Sequence, residues 1–136
     1  MMRVREIKAI PTTMRCGVRE LTRSGSYVAR LEVAMSEAVP ESMRPHTREI
    51  IGFYVARGNR GQRWGTALMN MVCQEADANC MTLLLTAAPS DGDLGPSLAK
   101  LIEFYQRFGF FVLQATPSGP LMARQVVPRP KILQVH

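Results

Sequence analysis

The chain has 136 residues, of which 46% are hydrophobic and 21% charged, an ordinary globular composition that fits one domain over 1–136 and is too short for two independent cores. No run approaches the roughly 18 apolar residues of a membrane span, and Met1 to Lys8 lacks the apolar core of a secretory signal, so a cytoplasmic protein with no membrane partner is expected. Cys16, Cys73 and Cys80 form no CxxC pair, and His46 and His136 lie far apart, which argues against a disulfide framework and a metal site.

The net charge of +6 is uneven. Residues 1–64 carry the whole excess of Arg and Lys over Asp and Glu, without the tight basic run of a DNA-binding arm. Such a half suits an acidic protein, a polyphosphate or a nucleic acid, and a solvated basic face reads the same way.

In chain order, Arg3 to Ile10 alternates like a strand, and Thr12 to Arg23 has a weak helical pattern interrupted by Gly17. Ser26 to Ala34 reads as a strand with Tyr27, Ala29, Leu31 and Val33 on one face. Ser36 to Pro45 reads as a loop. Arg48 to Ala56, with the run Ile50-Ile51-Gly52-Phe53-Tyr54-Val55, reads as a central strand buried on both faces. After a glycine- and arginine-rich turn, helical spacing runs from Trp64 to Asn79, and Met81 to Ala87 is a short apolar strand. A polar loop, Ala88 to Gly95, precedes a helix with Pro96 as its first residue, running to Phe108 with a stripe of Leu98, Leu101, Ile102 and Tyr105. Phe110 to Gln114 and Leu121 to Val127 read as closing strands.

The turn Arg57-Gly58-Asn59-Arg60-Gly61-Gln62-Arg63-Trp64-Gly65 carries most of the chemical information. Main-chain N–H groups at a helix start lack intrahelical partners and are positively polarised, so a glycine-rich approach to them accommodates a phosphate or pyrophosphate. The same glycines also suit a plain strand-to-helix turn that needs positive φ. It is neither a Walker loop, since no Gly-Lys-Ser/Thr follows, nor a dinucleotide GxGxxG.

The stretch from Val55 to Leu68 resembles the acetyl-CoA-binding motif R/Q-x-x-G-x-G/A of GNAT-superfamily N-acetyltransferases. Ser97 to Phe110, with Phe104-Tyr105 followed by Gly109-Phe110, is similar to that family's second signature. The resemblance implies the GNAT fold: an α/β (α+β) domain with a central, mixed, mostly antiparallel twisted sheet flanked by helices, here with a shortened N-terminal part. It further implies acetyl-CoA as cosubstrate, with no metal. Pyrophosphate would rest on the turn Arg60, Gly61, Gln62, Arg63, Trp64, Gly65 and Thr66, and pantetheine would run beside Tyr54, Val55 and Ala56. Ser97 and Lys100 at the second helix start would complete the cofactor contacts.

By the same resemblance the amide of Val55 steadies the oxyanion, Tyr105 is the candidate proton donor to the leaving thiolate, and Glu49 is the candidate base, with Glu32 and His46 as substitutes. Tyr105 also fits a packing role on its apolar stripe, and each acid fits an ordinary surface role. The motif departs from the family at its central glycine, which is Arg63 here. Three outcomes stay open: an outward-turned Arg63, a guanidinium on phosphate, or lost coenzyme binding.

Only about 48 residues precede the central strand, too few for the helices that wall off a small acceptor, so an open acceptor side and a protein lysine are expected. Small amines, and a noncatalytic GNAT-shaped binding or inhibitor protein, are the alternatives. The compact build and Gly119 to Arg124 also resemble small phage-encoded acetyltransferases, an anti-CRISPR type among them. A homodimer that closes the site and a nucleic-acid partner both stay open at this point.

Overall fold

A computed structural model describes residues 14–56, 63–89 and 96–126. The strand expected at Arg3 to Ile10, the turn residues Arg57 to Gln62 and the tail from Pro128 lie outside the described residues. The elements are β1 (Gly17–Arg23), β2 (Ser26–Met35), a 3-10 helix (Glu41–His46), β3 (Thr47–Val55), α1 (Trp64–Ala78), β4 (Thr82–Thr86), α2 (Leu98–Gln106), β5 (Phe111–Gln114) and β6 (Leu121–Arg124). They build one mixed six-stranded sheet in the order β1-β2-β3-β4-β6-β5, in which only β3 and β4 run parallel. This is the mixed, mostly antiparallel arrangement expected of the GNAT fold.

The weak helical reading of Thr12 to Arg23 is wrong from Gly17 onward. Ser24 and Gly25 both take positive φ, 54° and 84°, as a type I′ turn requires, and the hairpin they close pulls Gly17–Arg23 into an antiparallel ladder with β2. Cross-strand pairing outweighs the local helical preference there. Tyr27 also departs from its expected face. Leu21 pairs Ala29 while Thr22 pairs Tyr27, so a bulge at Val28 breaks the alternation that keeps Ala29, Leu31 and Val33 inward.

The loop expected at Ser36 to Pro45 contains the 3-10 helix, whose Met43 carbonyl accepts from Thr47 Oγ1 at 2.9 Å. The helix expected from Pro96 begins at Leu98 instead, because Ser97 takes the N-cap position with its side chain accepting from the Lys100 N–H at 3.2 Å. Pro96 therefore lies before the helix rather than in its first turn.

The core is one cluster on the helix-bearing face of the sheet. It joins Ala29, Leu31 and Val33 of β2, Ile50 of β3, Leu68, Met69 and Val72 of α1, and Leu83 and Leu85 of β4 to Met122 of β6. Arg48 is also buried there, its Nε donating to the Met14 carbonyl at 2.8 Å and its Nη1 to the Thr47 carbonyl at 2.9 Å. An Arg124–Asp77 pair ties α1 to β6 through two bonds of 2.9 Å, and Arg124 Nε donates to the Phe108 carbonyl at 2.6 Å. That one guanidinium holds the end of α1 and the turn after α2 to the same strand.

Candidate active site

The site begins with a break in the sheet. Among the described residues β3 pairs with β4 through Thr47–Thr82, Arg48–Leu83 and Glu49–Leu84, and this parallel ladder ends at Glu49. Just past the last rung, Gly52 sits at φ 64°, and Gly52 and Phe53 together oppose the single residue Leu31 of β2. This bulge bends β3 away and shifts its inward positions from Ile50 to Phe53 and Val55. A glycine inside an apolar strand run is the sequence sign of such a bulge, and it is what the expectation of a strand buried on both faces overlooked. Ile51 is 41% exposed.

The start of α1 closes against this bent segment. A Cβ placed on Gly65 would lie 3.1 Å from Val55 Cγ2 and 3.2 Å from Phe53 Cζ, so the helix start approaches β3 as closely as a side-chain-free residue permits. Arg63, the N-cap, has φ 65° and an exposed side chain, and no side chain caps the helix. Its backbone takes the left-handed form that a glycine takes at no steric cost, and its guanidinium points to solvent. The first turn of α1 holds no acidic residue, and its first helical bond runs from the Ala67 N–H to the Arg63 carbonyl at 3.0 Å. The helix start therefore keeps its positive polarisation toward the opening.

Helix α2 supplies the third wall with a chain of aromatic rings. Phe104 stacks on Phe53 with centroids 5.9 Å apart, and Tyr105 lies 6.2 Å from Phe53 and 5.9 Å from Phe110. Tyr105 is buried, and burial pushes its hydroxyl up to about 12, so it is protonated throughout the physiological range. Phe53 and Phe104 have no place in the sequence-based site. Their only signal in the sequence was Phe53 in the central strand run and Phe104 in the Phe104-Tyr105…Gly109-Phe110 signature.

The remaining site residues fall into separate groups. Val55, Gly65, Tyr105 and the backbone of Arg63 and Trp64 converge on the opening. Ala56 donates its N–H to the Val28 carbonyl at 2.9 Å, which turns the N–H of its neighbour Val55 to the strand edge facing the gap. Tyr54 lies on the other face of the sheet beside Tyr27, with ring centroids 6.3 Å apart. Glu49 also faces away from the helices: it pairs Ala34 and Leu84, the alternates of the inward Val33 and Leu83. Tyr105 and Glu49 thus flank the gap from opposite faces. Thr66 is half-buried in the first turn of α1, while Ser97 and Lys100 are exposed at the start of α2, with the Ser97 hydroxyl engaged as the cap. Arg60, Gly61 and Gln62 lie outside the described residues. Among the described residues no group of three His, Cys, Asp or Glu could hold a metal ion, and no helix is long and apolar enough to cross a membrane.

Close contact of a helix start with a bent strand beyond its last rung with β4 fits a ligand that is anionic at one end and can pair along a strand at the other. Solved structures share the fold. The chain matches the ribosomal-protein-S18-alanine N-acetyltransferase from Escherichia coli with a TM-score of 0.63 at 18% identity, over 96% of this chain and 82% of that one. It matches an aminoglycoside 6'-N-acetyltransferase complexed with coenzyme A with a TM-score of 0.58 at 17% identity, over 83% and 74%. The anti-CRISPR protein AcrVA5 matches with a TM-score of 0.52 at 25% identity, over 79% of this chain and 97% of that one. No curated protein sequence matches. The model of the acetyltransferase (GNAT) family matches residues 8–110. That match takes in the strand, the helix start and the aromatic wall that form the opening, and the chain belongs to the GNAT family of acetyltransferases, whose acyl donor is acetyl-CoA.

Proposed function

We propose that the protein transfers the acetyl group of acetyl-CoA to the ε-amine of a lysine on another protein. The observation that carries this reading is the splay of β3 from β4 beyond Glu49, walled by Gly65 of α1 and Tyr105 of α2. The start of α1 would hold the pyrophosphate, and β3 beyond its last rung with β4 would align the pantetheine arm so that the thioester carbonyl meets the Val55 N–H. The neutral amine attacks that carbonyl and a C–N bond forms; the C–S bond breaks with its electron pair on sulfur, and the proton that the nitrogen sheds on becoming an amide ends on that thiolate, giving the free thiol of CoA.

Tyr105 acts on the departing sulfur as a hydrogen-bond donor. With its hydroxyl near 12, complete proton transfer to a thiolate whose ordinary pKa is about 8.5 is uphill by roughly 3 to 4 units, whereas a hydrogen bond formed as charge develops needs no such transfer. Glu49, across the gap, takes the proton that the acceptor ammonium must lose before attack. Holding both reactants in one cleft supplies much of the rate.

Protein rather than small-amine acceptors are supported by the connection between β2 and β3, which holds a single 3-10 helix, Glu41–His46, on the acceptor side of the chain. A cytoplasmic location suits a reaction that consumes acetyl-CoA. The competing reading is a binding protein of GNAT shape, favoured by Arg63 at the motif glycine.

Calorimetric titration with acetyl-CoA, followed by incubation with radiolabelled acetyl-CoA and a cell lysate, separates the readings. Saturable heat and label on protein bands are expected. Label on small amines alone would remove the protein acceptor, and the absence of binding heat would remove transfer altogether.

A further inference from the structure

We infer that the sheet face opposite the helices, across β1, β2 and β3, is where the lysine-bearing segment of the protein substrate docks. This deepens the proposed function and rests on it for the reaction, though not for the docking. Both helices sit on one face: Arg19 of β1 bonds Glu75 of α1 at 2.8 and 3.0 Å, and Tyr105 and Phe104 of α2 pack on Phe53. The register then assigns the residues of the other face. Val18 pairs Glu32 and Glu32 pairs Ile51, making one row across three strands, and Ala34, Glu49 and Leu84 make the next.

The first of these rows is open to solvent at both apolar ends, with Val18 45% and Ile51 41% exposed, and it has an acid between them. Glu32 and Glu49 occupy diagonal positions on adjacent strands, close enough for one cation to feel both. Among the described residues neither has a cationic partner, whereas the neighbouring Glu20 is matched by Arg30 at 3.9 Å. On a molecule of net charge +6, two unmatched acids framed by exposed valine and isoleucine are complementary to a lysine with apolar neighbours.

The location also suits the chemistry. Glu49–Leu84 is the last rung before β3 and β4 part, which places Glu49 beside the gap on the face away from the helices. The aromatic wall is on the far side. Donor and acceptor would then enter from opposite faces and meet at the split.

The test measures docking and transfer separately. The probe is a fluorescein-labelled peptide of lysine, leucine and glycine, with a glutamate-for-lysine peptide as control, titrated by anisotropy into the wild type, Val18→Lys and Ile51→Lys in the presence of CoA. Both substitutions are at exposed positions, and unchanged melting and acetyl-CoA affinity establish that the fold is intact. The lysine peptide should bind the wild type, bind each variant at least about five-fold more weakly, and lose affinity with salt. Equal affinity for all three proteins, no binding to the wild type, equal binding of the glutamate peptide, or a dimer in sedimentation that Ile51→Lys dissolves would each overturn the assignment.

Radiolabelled acetyl transfer to the same peptide keeps the two readings apart. Docking that the variants lose without any acetyl moving leaves the docking face standing and removes the transfer reading. Equal transfer by all three proteins does the reverse.

Discussion

A carboxylate and a methyl group placed at Gly65 should act differently on stability and on coenzyme affinity, and the difference can be worked out from the geometry. The added Cβ would sit 3.1 Å from Val55 Cγ2 and 3.2 Å from Phe53 Cζ, a few tenths of an ångström inside ordinary contact. Phe53 is backed by Phe104 at 5.9 Å and Tyr105 at 6.2 Å, so its ring cannot simply swing aside. Overpacking of this kind costs about 1–3 kcal/mol, and replacing glycine within a helix returns up to about 1 kcal/mol. Gly65→Ala should therefore lose about 1 kcal/mol, roughly 4 °C in melting temperature for a chain of this size.

Gly65→Asp carries the same steric cost, partly offset by about 0.5 kcal/mol because a negative charge is favoured at a helix start. On coenzyme binding the two diverge. A carboxylate about 5 Å from a phosphate at an effective dielectric near 20 adds about 3 kcal/mol of repulsion, on the order of a hundred-fold in affinity. Thermal denaturation and calorimetric titration with acetyl-CoA measure the two effects independently. If Gly65→Asp binds acetyl-CoA as tightly as Gly65→Ala, the pyrophosphate does not lie at this helix start.

Three further outcomes are expected. Tyr105→Phe should keep the melting temperature within a few degrees while lowering kcat by roughly ten- to a thousand-fold, as for loss of one transition-state hydrogen bond. Because the folded-state pKa of Tyr105 is raised to about 12 from 10.0, its contribution to stability is fully present below pH 10 and lost as the pH climbs through about 12, so alkaline unfolding should begin later in Tyr105→Phe. The Arg124–Asp77 pair should break asymmetrically in urea titrations. Asp77→Ala strips the ionic partner from an arginine whose side chain is 7% exposed and should cost about 3–5 kcal/mol, whereas Arg124→Met leaves an aspartate 26% exposed to water and should cost less; equal losses would contradict the burial argument. Burial pushes the Cys73 thiol up to about 11, so at pH 8 a thiol reagent should label exposed Cys16 and Cys80 and reach Cys73 only on unfolding; rapid labelling of all three would refute it.

The order of elements and the two chemical motifs were legible in the chain because each rests on local rules. Apolar spacing of 3.6 marked Trp64–Ala78, a short apolar run marked Thr82–Thr86, and glycines beside arginines marked the anion-type turn. Pairing decided what those rules could not. Gly17–Arg23 became a strand because the Ser24-Gly25 turn delivers it to β2, and Tyr27 changed faces because a bulge at Val28 of β2 shifted the register. Side-chain periodicity carries no record of which strand lies alongside, or of where an extra residue is inserted.

The same division runs through the site. Its residue types could be read one by one, but not that Gly52 bends β3 out of its pairing, that Arg63 takes a glycine's backbone and turns its charge outward, or that Glu49 and Tyr105 stand on opposite faces of the split. Local sequence determines which backbone shapes are inexpensive. Which faces end up bare, and what meets across a gap, depends on contacts between residues far apart in the chain, and only the folded sheet brings those together.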